Sequence, residues 1–250
     1  VIRPANPVTC AVWWADPALA GPAALPALLD ERERERHARY RMAADRDRYA
    51  AAHALARLVC AREAGCAPQE VAFTLHCGHC DRPEPHGKPR PAGPAQGLEL
   101  SITHSGARVA VAVARGAAVG VDVEQVREGR DIEGLADYAL TGAERTALDA
   151  VPAAGRTAGF FTYWSRKEAL LKATGEGLSG GLASVAVSGP ADDPAVLAWD
   201  SPGAPEHVWL GDLDAGPDHR AALAVLTGAP VDVVEHDATE LLTTVPGQHV

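Results

Sequence analysis

The chain has 250 residues, 47% hydrophobic and 22% charged, a soluble composition with apolar side chains for one large core or two modest ones, which excludes disordered and fibrous classes. A formal net charge of −10 works against binding to nucleic acid or anionic membranes, so a polyanionic ligand needs a local cluster of Arg, Lys and His. Cys10, Cys60, Cys66, Cys77 and Cys80 are too unevenly spaced for a secreted disulfide framework and point to a reducing cytoplasm.

Val8 to Ala15 is apolar but is cut short by Asp16 and Pro17, so it reads as a strand and not as the core of a leader peptide. The absent initiator Met suggests a processed or trimmed chain. No apolar run reaches the roughly 18 to 20 residues of a membrane span. Residues 27 to 64, rich in Ala, Leu, Arg and Glu, predict one or two helices ending at Gly65. Residues 71 to 75 read as a short strand, followed by a loop from Cys77 to Gly97 dense in Gly, Pro and His.

Leu98 to Ile102, Arg108 to Ala114 and Ala118 to Glu124 are predicted strands, the last two forming a hairpin about Arg115-Gly116. Helices are expected between Asp131 and Ala150 and from Gly159 to about Thr174, where Gly175 and Gly177 supply the stop. Two Gly-punctuated strands follow. Arg220 to Val225, Thr227-Gly228 and Val231 to Glu235 then repeat the pattern of Arg108 to Val113, Arg115-Gly116 and Val119 to Glu124. The chain therefore reads as α+β, a duplication of two similar halves, residues 1–115 and 116–250.

In Gly120-Val121-Asp122-Val123-Glu124, a period of two sends both valines to one face and both carboxylates to the other. Such a segment is either a strand with one wet face or a pair of hard oxygen ligands for a divalent cation. In Trp164-Ser165-Arg166-Lys167-Glu168-Ala169-Leu170-Leu171-Lys172, helical spacing puts Trp164, Glu168 and Lys172 on one stripe, as a surface ion pair or as two groups facing one site. Glu31-Arg32-Glu33-Arg34-Glu35-Arg36 sets opposite charges at i,i+3, the mark of a solvated helix.

The segments at 120–124 and 164–175, with His86-Gly87-Lys88-Pro89 and Ser101-Ile102-Thr103-His104-Ser105-Gly106 upstream, resemble in type and order the signature motifs of Sfp-type 4′-phosphopantetheinyl transferases. The resemblance implies a pseudo-twofold fold with coenzyme A bound between the halves and a phosphopantetheine arm moved to a serine of an apo acyl or peptidyl carrier protein. It implies Asp122, Glu124 and Glu168 as ligands of Mg²⁺, with Glu168 the metal ligand, the base that takes the serine proton, or both. It further implies Lys172 on the leaving side and His104, with Thr103 close by, at a phosphate. Lys88, Pro89, Arg48 and either Arg36 or Arg32 would meet the adenine and 3′-phosphate. A cytoplasmic monomer is expected, with the choice among fatty-acid, polyketide and nonribosomal-peptide carriers left to surface contacts.

Other chemistries find less support. His76-Cys77-Gly78-His79-Cys80 is half a zinc knuckle with no second C-x-x-C. Ser105 directly follows His104 and no G-x-S-x-G elbow is present, against a serine hydrolase. Walker A and Rossmann phosphate loops are missing as well. The alternative to the transferase is a module of the same shape that holds coenzyme A without turnover.

Overall fold

A computed structural model of the chain describes residues 6–20, 25–76, 87–127, 129–175, 177 and 181–244. The fold is α+β, and two sheets built alike dominate it. In the first, β1 (Val8–Ala15) pairs antiparallel with β5 (Arg108–Arg115), which pairs antiparallel with β4 (Leu98–Ser105). In the second, β6 (Val119–Gln125) pairs antiparallel with β10 (His219–Val225), which pairs antiparallel with β9 (Trp209–Leu213). One 22-residue helix backs each sheet: α2 (Ala43–Ala64) lies on β4 and β5, and α5 (Ala153–Thr174) on β6 and β10. Both helices end on a glycine in the left-handed region, Gly65 at φ 67° and Gly175 at φ 81°, a conformation that costs any residue with a Cβ.

The expected hairpin between β5 and β6 does not form. After Gly116 the chain leaves the first sheet, and β6 pairs with β10. The reciprocal crossing follows β10, because β11 (Val231–Asp237) returns to the first sheet and lies parallel to β1. Burial explains the exchange. Val109, Val111 and Val113 of β5 pack in the core around α2, while Ala110, Ala112 and Ala114 pack on Val119, Val121, Leu223 and Val225 of the second sheet. β5 is apolar on both faces, and its small alanines let the sheets approach; a hairpin partner would cover an edge and leave one face wet.

Other boundaries shift for local reasons. Part of the predicted Gly- and Pro-rich loop is β3 (Lys88–Ala92), which pairs with β2 (Ala72–His76) in a two-stranded ribbon whose open edge tolerates Pro89 and Pro91. Residues 77–86, with Cys77, Cys80 and His86 of the half zinc knuckle, lie outside the described residues. α5 starts at Ala153 and runs through Gly155 and Gly159, where a Cβ on Gly159 would stand 3.3 Å from Leu148 Cδ1. Downstream come three strands where two were expected: β7 (Val185–Val187), β8 (Val196–Trp199) and β9. The remaining helices are α1 (Glu31–Arg39), α3 (Glu133–Ala139), α4 (Gly142–Asp149) and α6 (Thr239–Thr243). None of the described helices is long and apolar enough to cross a membrane.

Candidate active site

The site forms where α5 presses on β6. At Gly120 an added Cβ would stand 1.9 Å from Ala169 O and 2.4 Å from Ala173 N, so only glycine lets the helix lie this close. The close approach sets Glu168 and Lys172, one helical turn apart, beside the outward residues of β6. The Lys172 ammonium donates to Asp122 Oδ1 at 2.6 Å and to Val121 O at 3.2 Å. Asp122, Glu124, Trp164, Glu168, Lys172 and His104 all line one cavity of about 1110 Å³. The same cavity is lined by Arg32, Glu33, Glu35, Arg36 and Arg39 of α1 and by Tyr40, Tyr49 and Phe73. One cavity thus brings the acids of β6 and α5 together with three arginines of α1.

The cluster of β6 and α5 acids is short of positive charge. Burial pushes Asp122 above the usual carboxylate range, and the Lys172 ammonium and Thr103 hydroxyl counter only part of that push. Burial and the neighbouring Asp122 charge raise both Glu124 and Glu168 to about 7. Asp122 Oδ2 is buried without a hydrogen-bond partner, a costly state for an ionised oxygen. Among the described residues no three His, Cys, Asp or Glu side chains converge as a ready-made metal cage. A hard cation that takes one or two carboxylates and completes its shell with water and phosphate needs no such cage, and the orphaned Oδ2 beside two strained carboxyls fits it. Burial first, then the charges of Lys172 and Arg48, lowers His104 to about 4, so its imidazole is neutral at pH 7 and offers one N–H.

Residues 118–225 match the model of the 4′-phosphopantetheinyl transferase superfamily. This part of the chain is similar to that superfamily. A Synechocystis protein provisionally assigned as a 4′-phosphopantetheinyl transferase is 31% identical over 160 residues, 64% of this chain and 62% of its own length. The 4′-phosphopantetheinyl transferase HetI of Nostoc is 31% identical over 157 residues, 62% of this chain and 63% of its own. The chain thus spans about three fifths of these relatives. The Thermotoga maritima holo-[acyl-carrier-protein] synthase superposes with a TM-score of 0.37 at 23% identity, covering 44% of this chain and 62% of that one.

The superfamily match takes in β6 and α5, and so all of Asp122, Glu124, Glu168 and Lys172. Of the other expected site residues, His104, Thr103, Pro89, Arg36 and Arg32 also line the cavity. Two do not. Lys88, lowered to about 8 by burial, donates to Val119 O at 2.8 Å and Ala173 O at 3.1 Å, so it ties the end of α5 to the start of β6. Arg48 donates to Gly106 O at 2.9 Å and pairs with Asp45 at 2.8 Å, joining α2 to the turn between β4 and β5.

Two features escaped the sequence reading. The first is Glu33, expected on a solvated helix but 3% exposed. Its carboxylate accepts from Arg57 at 2.7 Å, contacts His53 Nδ1 at 2.8 Å and closes a capping box with Asp30, holding the arginine-bearing helix against α2. The D-x-x-E spacing of Asp30 and Glu33 was the available signal. The second is Ser105, whose hydroxyl donates to Glu124 Oε2 at 3.0 Å; no local pattern announces it.

Proposed function

We propose that this protein transfers the 4′-phosphopantetheine arm of coenzyme A to a serine hydroxyl of an apo acyl or peptidyl carrier protein, releasing 3′,5′-ADP. The observation that carries this reading is one cavity lined by Asp122, Glu124, Glu168 and Lys172 and by three arginines of α1. Coenzyme A bears a 3′-phosphate on its adenosine and a pyrophosphate at the bond to be broken, and a cleft of about 1110 Å³ lined by both acids and arginines has room for both. Arginine's forked donors suit the 3′-phosphate, and Arg32, Arg36 and Arg39 are those at hand.

In the reaction the serine oxygen bonds to the phosphorus that carries pantetheine, the bond from that phosphorus to the oxygen of 3′,5′-ADP breaks, and the serine proton goes to a base. Mg²⁺ held by Asp122, Glu124 and Glu168 would neutralise charge on the pyrophosphate. Glu168, with its pKa pushed up to about 7, suits a proton acceptor near neutral pH. Lys172 would offset negative charge on the departing ADP oxygen, and His104 would donate its N–H to a phosphate oxygen.

The test is to incubate the protein with an apo carrier, coenzyme A and Mg²⁺ and to weigh the carrier. A mass gain of one phosphopantetheine, absent with EDTA, is the expected result. Binding of coenzyme A with no gain on any carrier tried would replace the reading with a non-catalytic coenzyme A module.

A further inference from the structure

β4 and β6 run side by side at the join of the two sheets, yet they belong to different sheets. Hydroxyls take the place of the missing main-chain acceptors. Ser101 Oγ accepts from Val121 N–H at 3.0 Å, Thr103 Oγ1 from Val123 N–H at 3.2 Å, and Ser105 Oγ from Gln125 N–H at 3.1 Å. The rungs fall every second residue on both strands, the period of a pleated strand. The amides of Val121, Val123 and Gln125 are thereby satisfied, as a buried N–H requires.

A hydroxyl that accepts still has a proton to give. Thr103 gives its proton to Asp122 Oδ1 at 3.2 Å, and Ser105 gives its proton to Glu124 Oε2 at 3.0 Å. For Ser101 the corresponding position is Gly120, which has no side chain to receive one. On Asp122, Thr103 and Lys172 together occupy Oδ1 and leave Oδ2 as the oxygen without a partner. The hydroxyls thus select which oxygen of the carboxylate remains free.

Resting on the transferase reading, we infer that Thr103 and Ser105 are positioning residues for the divalent cation site. Each fixes one carboxylate of β6 by a hydrogen bond to one oxygen and keeps the other oxygen available to the cation. Ser101 is the internal comparison, a rung of the same ladder with no carboxylate to hold. Partners of metal ligands of this kind change metal affinity by about 10- to 100-fold when removed.

The experiment measures Mn²⁺ affinity by titration in the presence of coenzyme A, alongside the thermal midpoint, for the wild type and for Thr103→Val, Ser105→Ala, Ser101→Ala and Thr103→Ser. Thr103→Val and Ser105→Ala are expected to weaken Mn²⁺ binding by about tenfold or more. Ser101→Ala should lower the midpoint with cation affinity unchanged, and Thr103→Ser, which keeps the hydroxyl, should restore binding. Wild-type affinity in Thr103→Val and Ser105→Ala, or an equal loss in Ser101→Ala, overturns the inference while leaving the transferase reading intact. A wild type that binds no Mn²⁺ with coenzyme A and transfers nothing overturns both. If Thr103→Val does not fold, Ser105→Ala and Thr103→Ser decide the matter.

Discussion

The two sheet-and-helix units share a framework down to their buried ion pairs, yet only one carries the acids. The fifteenth residue of each long helix is a buried cation, Arg57 in α2 and Lys167 in α5. Each binds the buried glutamate of a capping box on a preceding short helix, Glu33 at 2.7 Å and Glu144 at 2.6 Å. The next residue parts them: after Arg57 comes Leu58 in the core, and after Lys167 comes Glu168 in the cavity. The strands part in the same way. Ala112 faces Val12 in the first sheet and Ala222 faces Asp122 in the second, with Val12 fully buried in the apolar core. The two units share a scaffold, and at these matched positions the second carries acids that line the cleft where the first carries buried apolar residues.

The sharpest break of this comparison lies where the strands differ. Asp122→Ala is expected to lower kcat for carrier modification on the order of 10³-fold or more with the thermal midpoint retained. Val12→Ala in the first unit should reverse the pattern, losing stability by about 1–3 kcal/mol in chemical denaturation with little change in kcat. An Asp122→Ala enzyme of normal turnover would remove Asp122 from the chemistry.

The shared ion pairs predict equal behaviour. Arg57→Met and Lys167→Met each strand a buried glutamate and should cost about 3–5 kcal/mol, read from urea unfolding; a large loss in one unit with none in the other would end the structural equivalence. Acid tests the first pair separately. Burial alone would raise Glu33, but the His53 hydrogen bond and the Arg57 charge outweigh it and hold the carboxyl at about 2. A pKa depressed in the folded state stabilises above the unfolded value of 4.5 and is lost as pH falls toward 2. About 3 kcal/mol of stability should therefore disappear between roughly pH 4.5 and 2, and Glu33→Gln should flatten that limb of the stability curve; an unchanged acid limb would refute the assignment. The caps are the smallest effect: Asp30→Ala and Thr141→Ala should each cost about 1 kcal/mol, and a cap variant that leaves stability untouched would show that its helix start is held by packing alone.

What the sequence disclosed follows from how far apart the partners lie. Asp122 with Glu124, and Trp164 with Glu168 and Lys172, declare themselves within a few residues because strand and helix periods put them on one face. The glycine stops at Gly65 and Gly175 are equally local. The sheet exchange after Gly116 is not, since valines alternating around a glycine turn suit a hairpin and a crossing alike, and only burial of both faces of β5 decides between them. Glu33 meets Arg57 across 24 residues and Lys167 meets Glu144 across 23, so neither pair leaves a short-range trace. Lys88 and Arg48 differ from these: their side chains hydrogen-bond to main-chain carbonyls of the frame and do not line the cleft.

The parallel pairing of β11 with β1 also bears on how the protein is made. Val231 to Asp237 seal the flank of a sheet whose first strand emerges from the ribosome more than two hundred residues earlier. Co-translational folding of the first unit must then proceed with that flank open until β11 has been synthesised. Contacts so distant along the chain slow folding, and a waiting β1 edge is a surface on which a neighbouring nascent chain could add a strand.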